Sequence, residues 1–150
     1  MTGVAPTILH ATTIACRYAG AWRGVMIQGA SGAGKSDLAL RAMAAGWRLV
    51  ADDRTLVWRS GDGVFGRAPS TLMGLVEARG FGVLPVSVRQ TTRLAMVATC
   101  MPDPAAIARM PEEETVNVLG VTLACVRLFA LEASAVAKLT LAFQGSLTAL

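Results

Sequence analysis

Eight consecutive residues, Gly29-Ala30-Ser31-Gly32-Ala33-Gly34-Lys35-Ser36, satisfy the pattern Gly-x-x-x-x-Gly-Lys-Ser in full. Upstream, Gly24 to Gln28 is apolar and β-prone. Downstream, Leu38, Ala39, Ala42 and Met43 recur at helical spacing, Asp37 lies in the first turn where the helix dipole favours an acid, and Gly46 supplies a stop. A strand, a glycine loop and a helix in that order form the setting in which such a loop cradles phosphate. The glycines let backbone N–H groups curl around phosphate oxygens at a helix N-terminus. Lys35 would bridge the terminal phosphates, and the Ser36 hydroxyl can ligate Mg²⁺. A merely tight turn would need the glycines but neither Lys35 nor Ser36 at those offsets.

After the helix, Arg48 to Ala51 reads as the next strand of a βαβ unit, parallel to the first, and it ends in Asp52-Asp53. Two carboxylates at that edge can hold a metal through water and accept a proton from a hydroxyl nucleophile. Away from a phosphate loop, such a pair more often caps a turn and faces solvent.

Further along, Thr7 to Cys16 and Gly24 to Gln28 read as a hairpin joined through Arg17 to Arg23. Thr55 to Trp58 and Gly63 to Phe65 flank the turn-rich Ser60 to Gly63 as a hairpin or ordered loop. Ser70 to Val76 reads as a short helix. Gly80 to Val88, interrupted by Pro85, and Arg93 to Met101 read as strands. Pro102 to Met110 suggests a short helix and Thr115 to Leu128 an irregular or extended stretch. Ser134 to Leu147 reads as a helix with Val136, Leu139, Phe143 and Leu147 on one face. The fold class expected is α/β, a P-loop-containing nucleotide-binding domain with a mixed, strand-rich sheet and a C-terminal helix, in one domain over 1–150.

At 53% apolar and 16% charged, the chain is no disordered or solvating tail, and no apolar run reaches the roughly 18 residues of a membrane span. The apolar surplus implies subunit contacts, hence a soluble homo-oligomer. A net charge of +4 favours anionic ligands, but no Lys/Arg run or interleaved aromatic platform points to nucleic acid. Cys16, Cys100 and Cys125 are odd in number and unpatterned, which predicts buried, reduced thiols and a reducing compartment. Met1 to His10 lacks the pattern of a signal peptide.

The run Gly29-Ala-Ser-Gly-Ala-Gly-Lys-Ser-Asp-Leu-Ala-Leu40, followed by Gly46-Trp-Arg-Leu-Val-Ala-Asp-Asp53, resembles the HPr kinase/phosphorylase family. Glu77-Ala-Arg-Gly-Phe-Gly-Val-Leu-Pro-Val86 is similar to that family's signature segment. The resemblance runs from about His10 to the last helix and covers the catalytic domain only, so the expectation is a short, single-domain form. It implies an ATP- and Mg²⁺-dependent kinase of a seryl residue on an HPr-type phosphocarrier, in the bacterial cytoplasm. By position, it implies Asp53 as proton acceptor, Ser36 and Glu77 as magnesium ligands, and Arg79 facing the transferring phosphate.

His10 matches a family active-site histidine, although extra residues separate it from Gly29; as a residue alone it reads equally as a half-buried strand histidine. Arg109, ahead of Pro111-Glu-Glu-Glu-Thr115, resembles a family arginine and reads otherwise as a solvated helix end. The resemblance breaks at Val126-Arg-Leu-Phe-Ala-Leu-Glu-Ala-Ser134. There, longer members carry a Pro-Val-Arg-Pro-Gly-Arg type loop associated with dephosphorylation and subunit contacts, so it does not extend to phosphorolysis or hexamers. A P-loop small-molecule kinase is the competing enzyme, but no Arg-rich lid helix is visible and the Glu77 segment is then unexplained. A nucleotide-binding regulatory module without turnover leaves the Asp53 base without a purpose.

Overall fold

The computed structural model describes residues 5–148, so the first four residues of the Met1 to His10 segment lie outside the described residues. The elements in chain order are β1 (Thr7–Leu9), β2 (Thr12–Tyr18), β3 (Ala21–Gly29), α1 (Lys35–Ala44), β4 (Arg48–Ala51), β5 (Thr55–Ser60), β6 (Gly63–Arg67), β7 (Leu75–Ala78), β8 (Gly82–Pro85), β9 (Thr91–Cys100), a 3₁₀ turn (Pro104–Ala106), β10 (Glu114–Val118), β11 (Val121–Leu128) and α2 (Ala135–Thr148).

β9 is the hub of the main sheet. Its first residues pair antiparallel with β6, and beyond them it lies parallel to both β3 and β11. From β3 the sheet continues through β2 to β4, and from β6 through β5 to β1. Alternation along β3 and β9 sorts the core into two layers. Val25, Ile27, Met96 and Ala98 face α1 and α2, where Leu38, Leu139 and Phe143 are buried. Met26 and Val97 face the opposite way, onto Val57, Val64, Val118 and Leu123 from the two hairpins. Trp47, just after α1, packs its ring 4.9 Å from that of Phe143 and so ties the two helices together. This is the mixed, strand-rich α/β architecture with a C-terminal helix that the sequence predicts.

The phosphate-loop strand and β4 do run in the same direction, but β2 lies between them, antiparallel to both. The connection read over Arg17 to Arg23 shrinks to Ala19 and Gly20, both at positive φ (52° and 81°), the geometry that suits a two-residue hairpin turn. The strand read over Thr7 to Cys16 breaks at His10 and Ala11. The Ala11 carbonyl accepts the Thr55 hydroxyl at 2.9 Å, so β1 leaves to pair with β5 while β2 pairs with β3.

Ser70 to Val76 is no helix. Gly74 at φ 79° turns the chain, and Leu75 to Ala78 pair with Gly82 to Pro85 as a separate two-stranded ribbon. Of Pro102 to Met110, only Pro104–Ala106 is helical, one 3₁₀ turn capped by the Asp103 carboxylate, because prolines at 102, 104 and 111 supply no N–H for a longer ladder. Thr115 to Leu128 is extended, a hairpin turning on Leu119 and Gly120. All three thiols are free. Only Cys100 is fully buried, whereas Cys16 and Cys125 are half-buried. Ile8, Phe81, Val83, Met110 and Leu141 put part of the apolar surplus on the surface. No described helix is long and apolar enough to cross a membrane.

Candidate active site

The loop after β3 closes on itself. Lys35 donates from Nζ to the carbonyls of Gly29 (2.8 Å) and Ala30 (3.1 Å), which curls the intervening backbone into an arc. Gly34 enters α1 at φ 94°, a left-handed conformation glycine adopts without cost. At Gly29 a Cβ would meet the Cys100 carbonyl at 2.9 Å, so glycine is also what lets the loop lie against the end of β9.

Ser36, in the first turn of α1, donates its hydroxyl to Asp52 Oδ1 at 2.6 Å. With its proton so engaged, the hydroxyl keeps its lone pairs for a cation. Asp52 also accepts the Thr12 hydroxyl on Oδ1 (3.1 Å) and the Glu77 backbone N–H on Oδ2 (3.0 Å), linking β2, α1 and the β7–β8 ribbon. Thr12 in turn accepts the Asp53 N–H at 3.0 Å. Asp53 itself has φ 63°, unusual for any residue but glycine and tolerated best by Asn and Asp. That turn separates two adjacent carboxylates: Asp52 bonds inward, and Asp53 is left exposed.

Both carboxylates line an open cleft of about 480 Å³ together with Glu77, Arg54, Leu72 and Val83. Among the described residues, no three His, Cys, Asp or Glu side chains form a ready metal cage. The hard oxygen donors of Ser36, Asp52, Asp53 and Glu77 still suit Mg²⁺, which usually takes one or two protein ligands and completes its shell with phosphate and water.

The structure therefore brings Lys35, Ser36, Asp52, Asp53 and Glu77 to one end of the sheet. Arg79 is exposed on the β7–β8 turn, two residues from Glu77. His10 is exposed in the bend before β2, not half-buried in a strand, and lies two residues from Thr12. Arg109 is exposed in the coil between the 3₁₀ turn and β10 and does not line the cleft; nor does it end a helix. Sequence reasoning missed Thr12, which holds both aspartates. One buried threonine in a Thr-Thr pair carries no motif, so nothing local could have flagged it.

A sequence profile for the HPr Serine kinase C-terminal domain matches residues 21–140. The chain belongs to the HPr serine kinase family. The matched span includes Arg109 and excludes His10. An HPr kinase/phosphorylase from Burkholderia cenocepacia is 37% identical over 115 residues, which is 70% of this chain and 36% of that relative. Another, from Exiguobacterium sibiricum, is 48% identical over 64 residues, 42% of this chain and 21% of its own length. The chain thus spans about a third or less of these curated relatives. The solved Hpr(Ser) kinase/phosphatase from Coxiella burnetii shares the fold, with a TM-score of 0.75 over 95% of each chain at 20% identity.

Proposed function

We propose that the chain is an ATP- and Mg²⁺-dependent serine kinase that phosphorylates a seryl hydroxyl of an HPr-type phosphocarrier in a bacterial phosphotransferase system. The observation that carries this reading is the 2.6 Å bond from Ser36 to Asp52 at the rim of a cleft that also holds Asp53 and Glu77. The metal-ready hydroxyl of Ser36, at the foot of the phosphate loop, thus lies one hydrogen bond from a cleft lined by a free carboxylate. Family membership supports the kinase class, and the relatives' name supplies the carrier.

In the mechanism, Lys35 leaves the Gly29 and Ala30 carbonyls for the terminal phosphates while the loop amides hold the rest of the chain of phosphates. Mg²⁺, held by Ser36, Glu77 and, through water, Asp52, would offset charge on the transferring group. Asp53, exposed and bonded only through its backbone, accepts the seryl proton as the oxygen attacks in line. Arg79, on the same ribbon as Glu77, meets the developing charge. His10 and Arg109, both exposed and outside the cleft lining, are assigned to contacts with the carrier. Val83, exposed in the cleft wall, and Phe81, exposed on the turn of the same ribbon, offer apolar surface of the kind a protein substrate buries. A homo-oligomer in the bacterial cytoplasm completes the reading.

The test incubates the protein with γ-labelled ATP, Mg²⁺ and a purified HPr-type carrier from the same cell, and locates the label by mass spectrometry. A seryl phosphate on the carrier is expected. ATP binding with no label on any such carrier would overturn the substrate and favour a small-molecule kinase.

A further inference from the structure

Asp53 stands in a strained turn at the edge of the cleft. The Arg54 N–H reaches back to the Asp52 carbonyl at 2.7 Å, closing a three-residue turn with Asp53 at its centre and φ 63° there. A γ-turn with positive φ is rare and strained, and only glycine enters it freely. Strain of this kind persists where the surroundings enforce it, and here one side chain does so. Thr12, fully buried, donates its single proton to Asp52 Oδ1 and turns a lone pair to the Asp53 N–H at 3.0 Å. Asp52 keeps two other donors, the Ser36 hydroxyl and the Glu77 N–H. The Asp53 N–H has no second acceptor among the described residues. Valine would fill the Thr12 site equally well, so packing alone does not call for a hydroxyl. Thr12 is itself fixed from behind. The register of β2 on β4 slips by one residue beside it, Thr13 facing Ala51 and Ile14 facing Leu49, a bulge of the kind that re-aims a side chain next to a site. The buried hydroxyls of Thr13 and Thr55 lie 2.8 Å apart, and Thr55 donates to the Ala11 carbonyl at 2.9 Å, which pins the chain on both sides of Thr12.

We infer that Thr12 is a positioning residue for the transfer step: its hydroxyl holds the turn that sends the Asp53 carboxylate into the cleft while Asp52 stays bonded inward. The inference rests on the reading of Asp53 as proton acceptor and deepens it. Without the hydroxyl, the Asp53 N–H loses its acceptor, and the backbone relaxes from positive φ toward the ordinary regions. The carboxylate then leaves its place in the cleft lining for part of the time. The phosphate loop, with which Thr12 makes no hydrogen bond, binds nucleotide as before. Thr12 thus acts on the rate and not on the affinity.

The test measures single-turnover transfer from Mg-ATP to a purified HPr-type carrier, together with ATP affinity, in wild type, Thr12→Val, Thr12→Ser and Asp53→Asn. Thr12→Val should transfer about tenfold more slowly at unchanged ATP affinity, the scale of one buried hydrogen bond. Thr12→Ser keeps the oxygen and should return to within about threefold of wild type. On the Asp53→Asn background, Thr12→Val should slow transfer no further, because the group it places is gone. A merely structural Thr12 would lower rate and affinity together, or slow both backgrounds alike. Either of those results, or a wild-type rate in folded Thr12→Val, overturns the positioning role while Asp53 stands as the base. A wild-type rate in Asp53→Asn, or no transfer by the wild type, overturns the underlying reading and the positioning role with it. Should Thr12→Val fail to fold, amide exchange in the wild type decides. The Asp53 N–H should exchange about tenfold or more below the unprotected rate, and unprotected exchange overturns the proposal.

Discussion

Replacing Asp52 with asparagine removes one carboxylate oxygen from a junction where three elements meet. Oδ1 accepts hydroxyls from Thr12 and Ser36, and Oδ2 accepts the Glu77 N–H. An asparagine that keeps its oxygen toward the hydroxyls points its NH₂ at the Glu77 N–H, donor against donor. The flipped amide satisfies Glu77 but forces Ser36 and Thr12 to turn their lone pairs toward nitrogen. Either way at least one bond to a charged acceptor is lost, worth about 1.5–3 kcal/mol when shielded. Asp52 is half-buried and partly screened by water, which lowers the figure to about 1–2 kcal/mol. For a chain of this size that is a fall in Tm of roughly 3–8 °C. Urea unfolding followed by tryptophan fluorescence measures it, since Trp47 reports on the helix layer through Phe143. Asp53→Asn is the control: its side chain is exposed and accepts no bond, so it should stay within about 0.5 kcal/mol of wild type. Ser36→Ala should cost about 1 kcal/mol alone and less than that on the Asp52→Asn background, where its partner is a neutral amide. Asp52→Asn unfolding like wild type, or adding fully to Ser36→Ala, would refute the junction.

Gly34→Ala places a Cβ at φ 94° and 3.1–3.2 Å from Leu131 and Ala130, so it should cost about 1–2 kcal/mol in denaturant unfolding; an unchanged midpoint would contradict the geometry. Burial pushes the Cys100 thiol up to about 11 from the ordinary 9.0, against the opposing pull of Lys35 and Arg41. Above pH 9 the unfolded chain therefore binds fewer protons than the folded one, and stability should fall by roughly 2 kcal/mol between pH 9 and 11. Urea midpoints across that range should show a slope that Cys100→Ala lacks, and equal slopes would reject the assignment. Phe143→Ala should cost about 3–5 kcal/mol, because its ring is fully buried against Trp47 and the sheet; thermal melting measures it, and a loss under 1 kcal/mol would mean the helix layer repacks freely.

The phosphate loop was legible because its chemistry is local: glycines, Lys35 and Ser36 at fixed offsets, then a helical period. The Asp52-Asp53 edge was legible for the same reason. Its internal division of labour was not, since the φ of 63° at Asp53 and the Thr12 bonds depend on β2 lying between β3 and β4. Residues 70–76 misled because a short apolar run fits helix and strand periods alike, and pairing with β8 decided it. The bonds from Arg41 to the carbonyls at 130 and 132 join residues some ninety positions apart, where no spacing rule reaches.

If Asp53 accepts the seryl proton, its loss should slow transfer without loosening ATP. Single-turnover transfer from ATP to an HPr-type carrier, measured for wild type and Asp53→Asn alongside ATP affinity in each, decides this. Affinity should be unchanged and the rate lower by about 10²–10⁴-fold in Asp53→Asn. Transfer at the wild-type rate by that variant, or no transfer by the wild type with ATP bound, would contradict it.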